Sequence, residues 1–410
     1  MAGDGGRHGN LQRQRGWSDL PDDILDLVYR GCCSSPYDRI RFAAVCSSWR
    51  AVVSWHPKLP ALPLLLPSTG NAKRDRKARA YSLEEGRALR RPLRGFPWGK
   101  QLVGSHDGGW IAAASGTRIM VVNVFSGDRV ALSAKESIIG CKCPTRSNPR
   151  VAGHHVAGQT QTSVKKVTFS KDPSSGGCVL AAITTRCKIA LCRVGSCQDD
   201  GWTTRGCCTG SYQEISDIAF CNGKLYGLGH DEVFKFDIGV NSNRAPVAHC
   251  TSVVPLCGVK FMDKYVFDLR GKLAIAVKFS HKYKCCSFNY FQVYEIDVER
   301  QTWVEVTSLD DHALFIGPTR CKAAHVPPAT ATGWHGEVER NRIYYSEQRL
   351  CRRHDDKCFK RLDLGSYTVY YGEETPEGMN SERRTIMSRG YHYGHEDDGD
   401  GCIWVLPPDF

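Results

Sequence analysis

Residues 17–57, WSDLPDDILDLVYRGCCSSPYDRIRFAAVCSSWRAVVSWHP, pack three helix signals into about forty positions and hold more apolar surface than so short a unit can bury. Pro21 suits an early helical position, and Asp22 and Asp23 place negative charge at the positive end of the helix dipole. Leu20, Ile24, Leu27 and Val28 recur at helical spacing, and Gly31 is expected to stop the run. Ser34, Ser35 and Pro36 restart a helix carrying Ile40, Ala43 and Ala44 on one side. A last short helix begins at Cys46 or Ser47, carries Trp49, Val52 and Val53, and ends before Pro57. Units below about 40–60 residues are marginal alone and usually need a partner, so the segment reads as a docking element.

Its residues also carry a resemblance. Leu-Pro-Asp-Asp-Ile-Leu from Leu20, Asp38 with Arg41 and Phe42, and Val45-Cys46-Ser47-Ser48-Trp49-Arg50 resemble an F-box in order and spacing. The resemblance implies docking on the SKP-type adaptor of a cullin-based ubiquitin ligase. Carried over by position, Leu20, Pro21, Ile24, Leu27, Val45, Cys46 and Trp49 are the expected adaptor-facing residues. Gly31-Cys32-Cys33 stands where the family more commonly has a leucine-rich stretch.

The 410 residues leave room for two or three domains and a substantial core. No run approaches the ~18 apolar residues that span a bilayer; Leu59–Pro67 is short and broken by prolines. Residues 1–16 read as a disordered tail without the apolar core of a secretory signal. The twenty cysteines are scattered, which with no such signal points to a reducing compartment, cytoplasmic and/or nuclear, and to thiols acting as small hydrophobes. Much of the net charge of +12 lies between Lys73 and Arg94, inside residues 58–98, read as a basic linker. With Tyr81 its sole aromatic between those charges, that stretch lacks a stacking platform for single-stranded nucleic acid, and a solvated linker is preferred over a nuclear address.

Residues 99–410 change texture to short β-type runs separated by Gly, Asp, Asn and Ser. Units beginning at Gly108, Gly176, Asn222, Arg270 and Arg340 repeat a Gly- or Asn-bearing turn, an inner strand, a second turn and usually a second strand, and Gly401–Pro408 supplies a lone last strand. Such repetition favours a propeller of six or seven blades over a sandwich. Pairing of the last strand with the first blade would remove an exposed sheet edge. SHDGGWIAAAS, the stretch from Tyr290 to Gly317, RNRIYYSEQ and CIWVLPP resemble the C-terminal domain of a plant F-box family, labelled KIB-type and regarded as propeller-like. That resemblance implies recognition of a target protein. Residues 140–162, 319–337 and 373–395 match poorly and are expected to be loops.

Catalytic and metal chemistry finds little support. No two cysteines stand at C-x-x-C spacing, and Cys187, Cys192 and Cys197 at steps of five would diverge along a strand. Cys141-x-Cys143, His392-x-x-His395 and the Asp397, Asp398, Asp400 cluster are weak motifs, and neither a G-x-S-x-G elbow nor a P-loop is present. Trp110, Trp303 and Trp404 are expected to fill gaps between blades, and Trp334 to lie exposed. The expected protein is therefore a non-catalytic subunit with no cofactor and no metal, joining a SKP-type adaptor, and through it cullin, to a target protein. The alternatives are a scaffold that binds the adaptor without recruiting cullin, and a propeller hydrolase or ligand-binding protein with a helical cap.

Overall fold

A computed structural model of the chain describes residues 16–33, 36–56, 62–67, 79–89, 93–132, 163–184, 189–195, 201–205, 215–240, 246–256, 263–283, 286–326, 338–346, 359–363, 368–372, 386–394 and 402–407. Two compact units emerge, a helical one within Met1–Pro60 and a β-rich one drawn from Ala61–Val326 and Gly336–Asp409.

In the helical unit a 3-10 turn, Trp17–Asp19, precedes α1 (Asp22–Cys32), α2 (Pro36–Ala43) and α3 (Ser47–Ser54). Pro21 caps α1 in an extended conformation, and Asp22 and Asp23 occupy its first turn. Gly31 does not end α1, contrary to expectation. The helix runs to Cys32, and the Cys33 N–H donates to the Tyr29 carbonyl at 2.8 Å. A glycine costs a helix about 1 kcal/mol, which the buried Tyr29 two residues earlier offsets. Cys46 is the extended residue that starts α3. Pro57 lies outside the described residues. The core of the unit is Leu25, Tyr29, Phe42 and Val52, with the Tyr29 ring set edge-on against Phe42 at 5.3 Å. Leu25 and Tyr29 stand four apart and so share one face of α1.

The β unit is a set of sheets whose pairings are antiparallel apart from two in the last. β1 (Leu64–Pro67), β2 (Tyr81–Ser82) and β3 (Arg87–Ala88) lie in one sheet, so the segment read as a linker supplies three strands. β4 (Gln101–His106), β5 (Trp110–Ser115) and β6 (Arg118–Asn123) form the first blade. The second holds β7 (Val164–Phe169), β8 (Val179–Thr184), β9 (Ile189–Arg193) and β10 (Thr203–Arg205). β11 (Asp217–Cys221), β12 (Lys224–Leu228), β13 (Glu232–Val240) and β14 (Pro246–Pro255) make the third. β15 (Asp263–Leu269), β16 (Lys272–Tyr283), β17 (Cys286–Asp297) and β18 (Thr302–Val306) make the fourth. The fifth sheet contains β19 (His312–Ile316), β20 (Cys321–His325), β21 (Arg342–Ser346), β22 (Phe359–Asp363), β23 (Thr368–Gly372) and β24 (Ser388–Gly394).

Among the described residues five blades line the axis, where six or seven were expected. Their inner strands are β4, β7, β11, β15 and β20, each beside the next. Asp107, just after β4, meets Arg320 and Lys322 at β20 and closes the ring. The count was overestimated because the last sheet spreads six strands, two of its contacts parallel, over a stretch that looks like more than one repeat. β20 and β24 also fall in segments expected to be loops. In the first four blades the strand after the glycine- or asparagine-bearing turn is the second strand, not the inner one. The inner strands, such as VKKVTF and DIAFC, carry charged side chains that disguise them as turns.

The last strand, β25 (Cys402–Val405), pairs with β1, so Leu65 stands opposite Trp404. The Trp404 indole N–H donates to the Ile316 carbonyl at 3.0 Å, and the Ser105 hydroxyl donates to the Trp404 carbonyl at 3.1 Å. Blades seal against one another through apolar side chains, as where Val103 and Trp110 of the first pack with Val167, Leu180 and Ala182 of the second. Among the described residues no helix is long and apolar enough to cross a membrane.

Candidate functional site

The helical unit presents an apolar surface made of residues its own core has no room for. Leu27 is 65% exposed, Val45 53% and Ile24 40%. Ile24 and Leu27, three apart on α1, share a helix face, and that face is distinct from the one carrying Leu25 and Tyr29. Pro21 is exposed, whereas Leu20, Cys46 and Trp49 are half-buried. Leu20 and Trp49 pack against the unit's own core, and the Trp49 ring lies 4.3 Å from Phe42 while its N–H donates to the Trp17 carbonyl at 3.1 Å. The seven residues named from sequence therefore divide into an open set, Pro21, Ile24, Leu27 and Val45, and a set engaged in part within the unit. Trp17, 72% exposed, and Trp55, 57% exposed, enlarge the apolar surface and were not singled out from sequence. Their signal was their position just outside the helices, where no core-facing periodicity applies.

Ion pairs order the polar parts of the same unit. Asp26 accepts from Arg30 at 2.8 Å and contacts His56 Nε2 at 2.7 Å, and the His56 ring stacks on Tyr29 at 4.1 Å. Arg39 donates to the Tyr29 hydroxyl. Burial pushes the Cys33 thiol up to about 11, which keeps it protonated near neutrality.

The propeller carries a concavity of about 400 Å³ at the axial end where β4, β7, β11 and β15 finish and β20 begins. Arg320 Nη2 donates to Asp107 Oδ2 at 3.1 Å, and Lys322 Nζ donates to the same oxygen at 3.2 Å. Burial raises the Asp107 carboxyl, but Arg320 and Lys322 outweigh it and hold the group down at about 2. A carboxylate so firmly ionised is no general acid near neutral pH. Burial, reinforced by the Arg320 charge, lowers the neighbouring His106, whose ring lies edge-on to Phe169 at 5.6 Å. Deeper in, Lys166 of β7 forms a buried ion pair with Asp217 of β11. Asp217 also accepts the Ile218 N–H at 2.9 Å and the Val266 N–H of β15 at 2.8 Å, so one carboxylate ties three blades together. Lys166 borders this cavity and a further one of about 580 Å³ at the opposite strand ends.

None of these axial groups was named from sequence; their trace was charge inside β-type runs. Among the described residues no group of three His, Cys, Asp or Glu could hold a metal ion. Cys192 lies buried on β9, while Cys187, Cys197, Cys141, Cys143, Trp334, His395, Asp397, Asp398 and Asp400 fall outside the described residues. Trp110 and Trp404 are buried, and Trp303 packs partly buried where the third and fourth blades meet.

A family model described as the KIB1-4 beta-propeller matches residues 80–370. An F-box protein of Arabidopsis thaliana is 24% identical over 371 residues, covering 81% of this chain and 89% of its own length. The Arabidopsis thaliana F-box protein SKIP23 is 44% identical over 57 residues, 14% of each chain.

Proposed function

The chain belongs to the KIB1-4 beta-propeller family and carries an F-box ahead of its propeller, and from that premise we propose that it is the substrate-recognition subunit of a SKP–cullin–F-box ubiquitin ligase. The observation that carries this reading is the open apolar set Ile24, Leu27 and Val45 on a unit that already has a closed core. Burial of each such side chain against an adaptor contributes about 1.5–3 kcal/mol before the entropy of association is subtracted. Leu20, Pro21, Cys46 and Trp49 flank that set, and Trp49 also steadies α3 against Phe42.

The protein performs no bond chemistry in this reading. It holds a target protein on its propeller near the ubiquitin-conjugating enzyme, and the rate gain comes from a high effective concentration of target lysine. The compartment is cytoplasmic, nuclear or both. Leu27→Ala combined with Ile24→Ala should reduce capture of a SKP-type adaptor at least tenfold while the far-ultraviolet circular dichroism stays unchanged. Undiminished capture would overturn the site. A reconstituted ubiquitination assay with cullin separates a ligase subunit from a scaffold that binds the adaptor alone.

A further inference from the structure

The axial cavity holds donors that the fold itself does not use. The Thr319 hydroxyl lines it, is only 2% exposed as a residue, and makes no hydrogen bond. Beside it, Arg320 Nη1 and Asp107 Oδ1 lie 2.9 Å apart in their ion pair but are not aligned for a hydrogen bond, so both are buried without one. Lys322 has three N–H bonds, and among the described residues Asp107 is the acceptor recorded for it. Two cations therefore share one carboxylate, which leaves a net positive charge next to a buried hydroxyl. Buried polar groups in native proteins are satisfied by protein, water or ligand, and each exception calls for an explanation.

The other charged groups of the wall are committed elsewhere. Lys166 is neutralised by Asp217, Arg270 pairs with Asp310 and Glu295, and Asp268 is hydrogen-bonded to the Gly271 N–H in the wall, where it keeps its negative charge. What remains open is a guanidinium edge, an ammonium and a hydroxyl, a donor set that matches the lone pairs of an oxyanion. A cavity of about 400 Å³ is also within the range that small ligands occupy.

We propose that this cavity is an oxyanion-binding site, in which Arg320, Lys322 and Thr319 receive a phosphate or carboxylate group. Asp107 is the positioning residue that holds the two cations side by side. The anion comes either from a free small molecule or from the side chain of a bound polypeptide, and the site does not depend on adaptor docking.

Isothermal titration of the full-length protein with inorganic phosphate, acetate and phosphoserine tests the site. At least one of these should bind saturably, and Arg320→Gln should weaken it tenfold or more, the loss expected for a charge-assisted hydrogen bond. Thr319→Val, which keeps shape and removes the hydroxyl, should weaken it several-fold with unchanged circular dichroism. Lys322→Gln supplies the same reading should Arg320→Gln fail to fold. A phosphoserine peptide that binds at least tenfold tighter than phosphoserine assigns the anion to a polypeptide; equal affinity assigns it to a small molecule. The absence of saturable binding by all of these probes, or equal binding by Lys322→Gln, Thr319→Val and the unaltered protein, overturns the proposal. Adaptor capture measured on the same preparations reports separately on the ligase reading.

Discussion

The helical unit and the propeller treat apolar and charged residues in opposite ways. The helical unit seals four side chains, Leu25, Tyr29, Phe42 and Val52, and leaves Trp17, Leu27 and Val45 open. The propeller packs each blade against the next so thoroughly that a lysine and an aspartate, Lys166 and Asp217, are buried among them. The difference follows from surface-to-volume scaling. A unit of about forty residues cannot enclose all its apolar surface, whereas a closed ring has an apolar neighbour on both sides of every blade. Apolar exposure thus distinguishes one region, and buried charge marks the organised centre of the other.

The sharpest way to break this contrast is to unbalance the buried pair. Asp217→Asn leaves Lys166 with an uncompensated charge and should destabilise the propeller by about 3–5 kcal/mol in urea unfolding. Adding Lys166→Met to that variant should recover most of the loss, because the asparagine still accepts a backbone N–H while the buried charge is gone. A loss below about 1 kcal/mol for Asp217→Asn alone would mean that water reaches the pair.

A somewhat smaller effect is expected in the helical unit. Leu25→Ala should cost about 2–5 kcal/mol, enough to unfold a marginal unit, seen as lost helical circular dichroism and lost adaptor capture together. Leu27→Ala, three-fifths exposed or more, should change stability by no more than about 0.5 kcal/mol. Equal stability losses at both positions would erase the distinction between core and open face.

The smallest effect concerns acid. Asp107 is held at about 2, below the ordinary carboxylate value of about 3.9. Its contribution is present in full above pH ~4 and disappears as the pH falls toward 2. Because the side chain is 40% exposed, solvent screening keeps the effect below about 1 kcal/mol. Asp107→Asn should flatten the decline of Tm between pH 4 and 2 slightly, and an unchanged slope would show that the ion pair with Arg320 and Lys322 is not maintained in solution.

Much of the helical unit was legible because its signals are local. Pro21 with Asp22 and Asp23, the restart at Pro36 and the start of α3 after Cys46 each depend on neighbours within a turn. The end of α1 was misplaced because Tyr29, buried against Phe42, overrides the weak helix propensity of Gly31. In the propeller the second strands were easy to see, since WIAAAS and VLAAIT are apolar throughout. The inner strands were not, since Lys166 and Asp217 break the apolar pattern in positions where burial is paid by a partner 51 residues away. Leu64–Pro67 was taken as linker because the run is short and broken by prolines; it lies between Tyr81–Ser82 on one side and the last strand on the other.

The sequence by itself determined the three helices, the β-repeat character and the apolar stripe of α1, all features written in spacing over a few residues. Tertiary structure alone decided which strands reach the axis, how many blades share it, that Trp404 stands opposite Leu65 of β1, and that Asp107 faces Arg320 from 213 residues away. The physical reason is that ring closure and charge pairing are long-range contacts, and their energy depends on which groups are brought together out of water rather than on which stand adjacent in the chain.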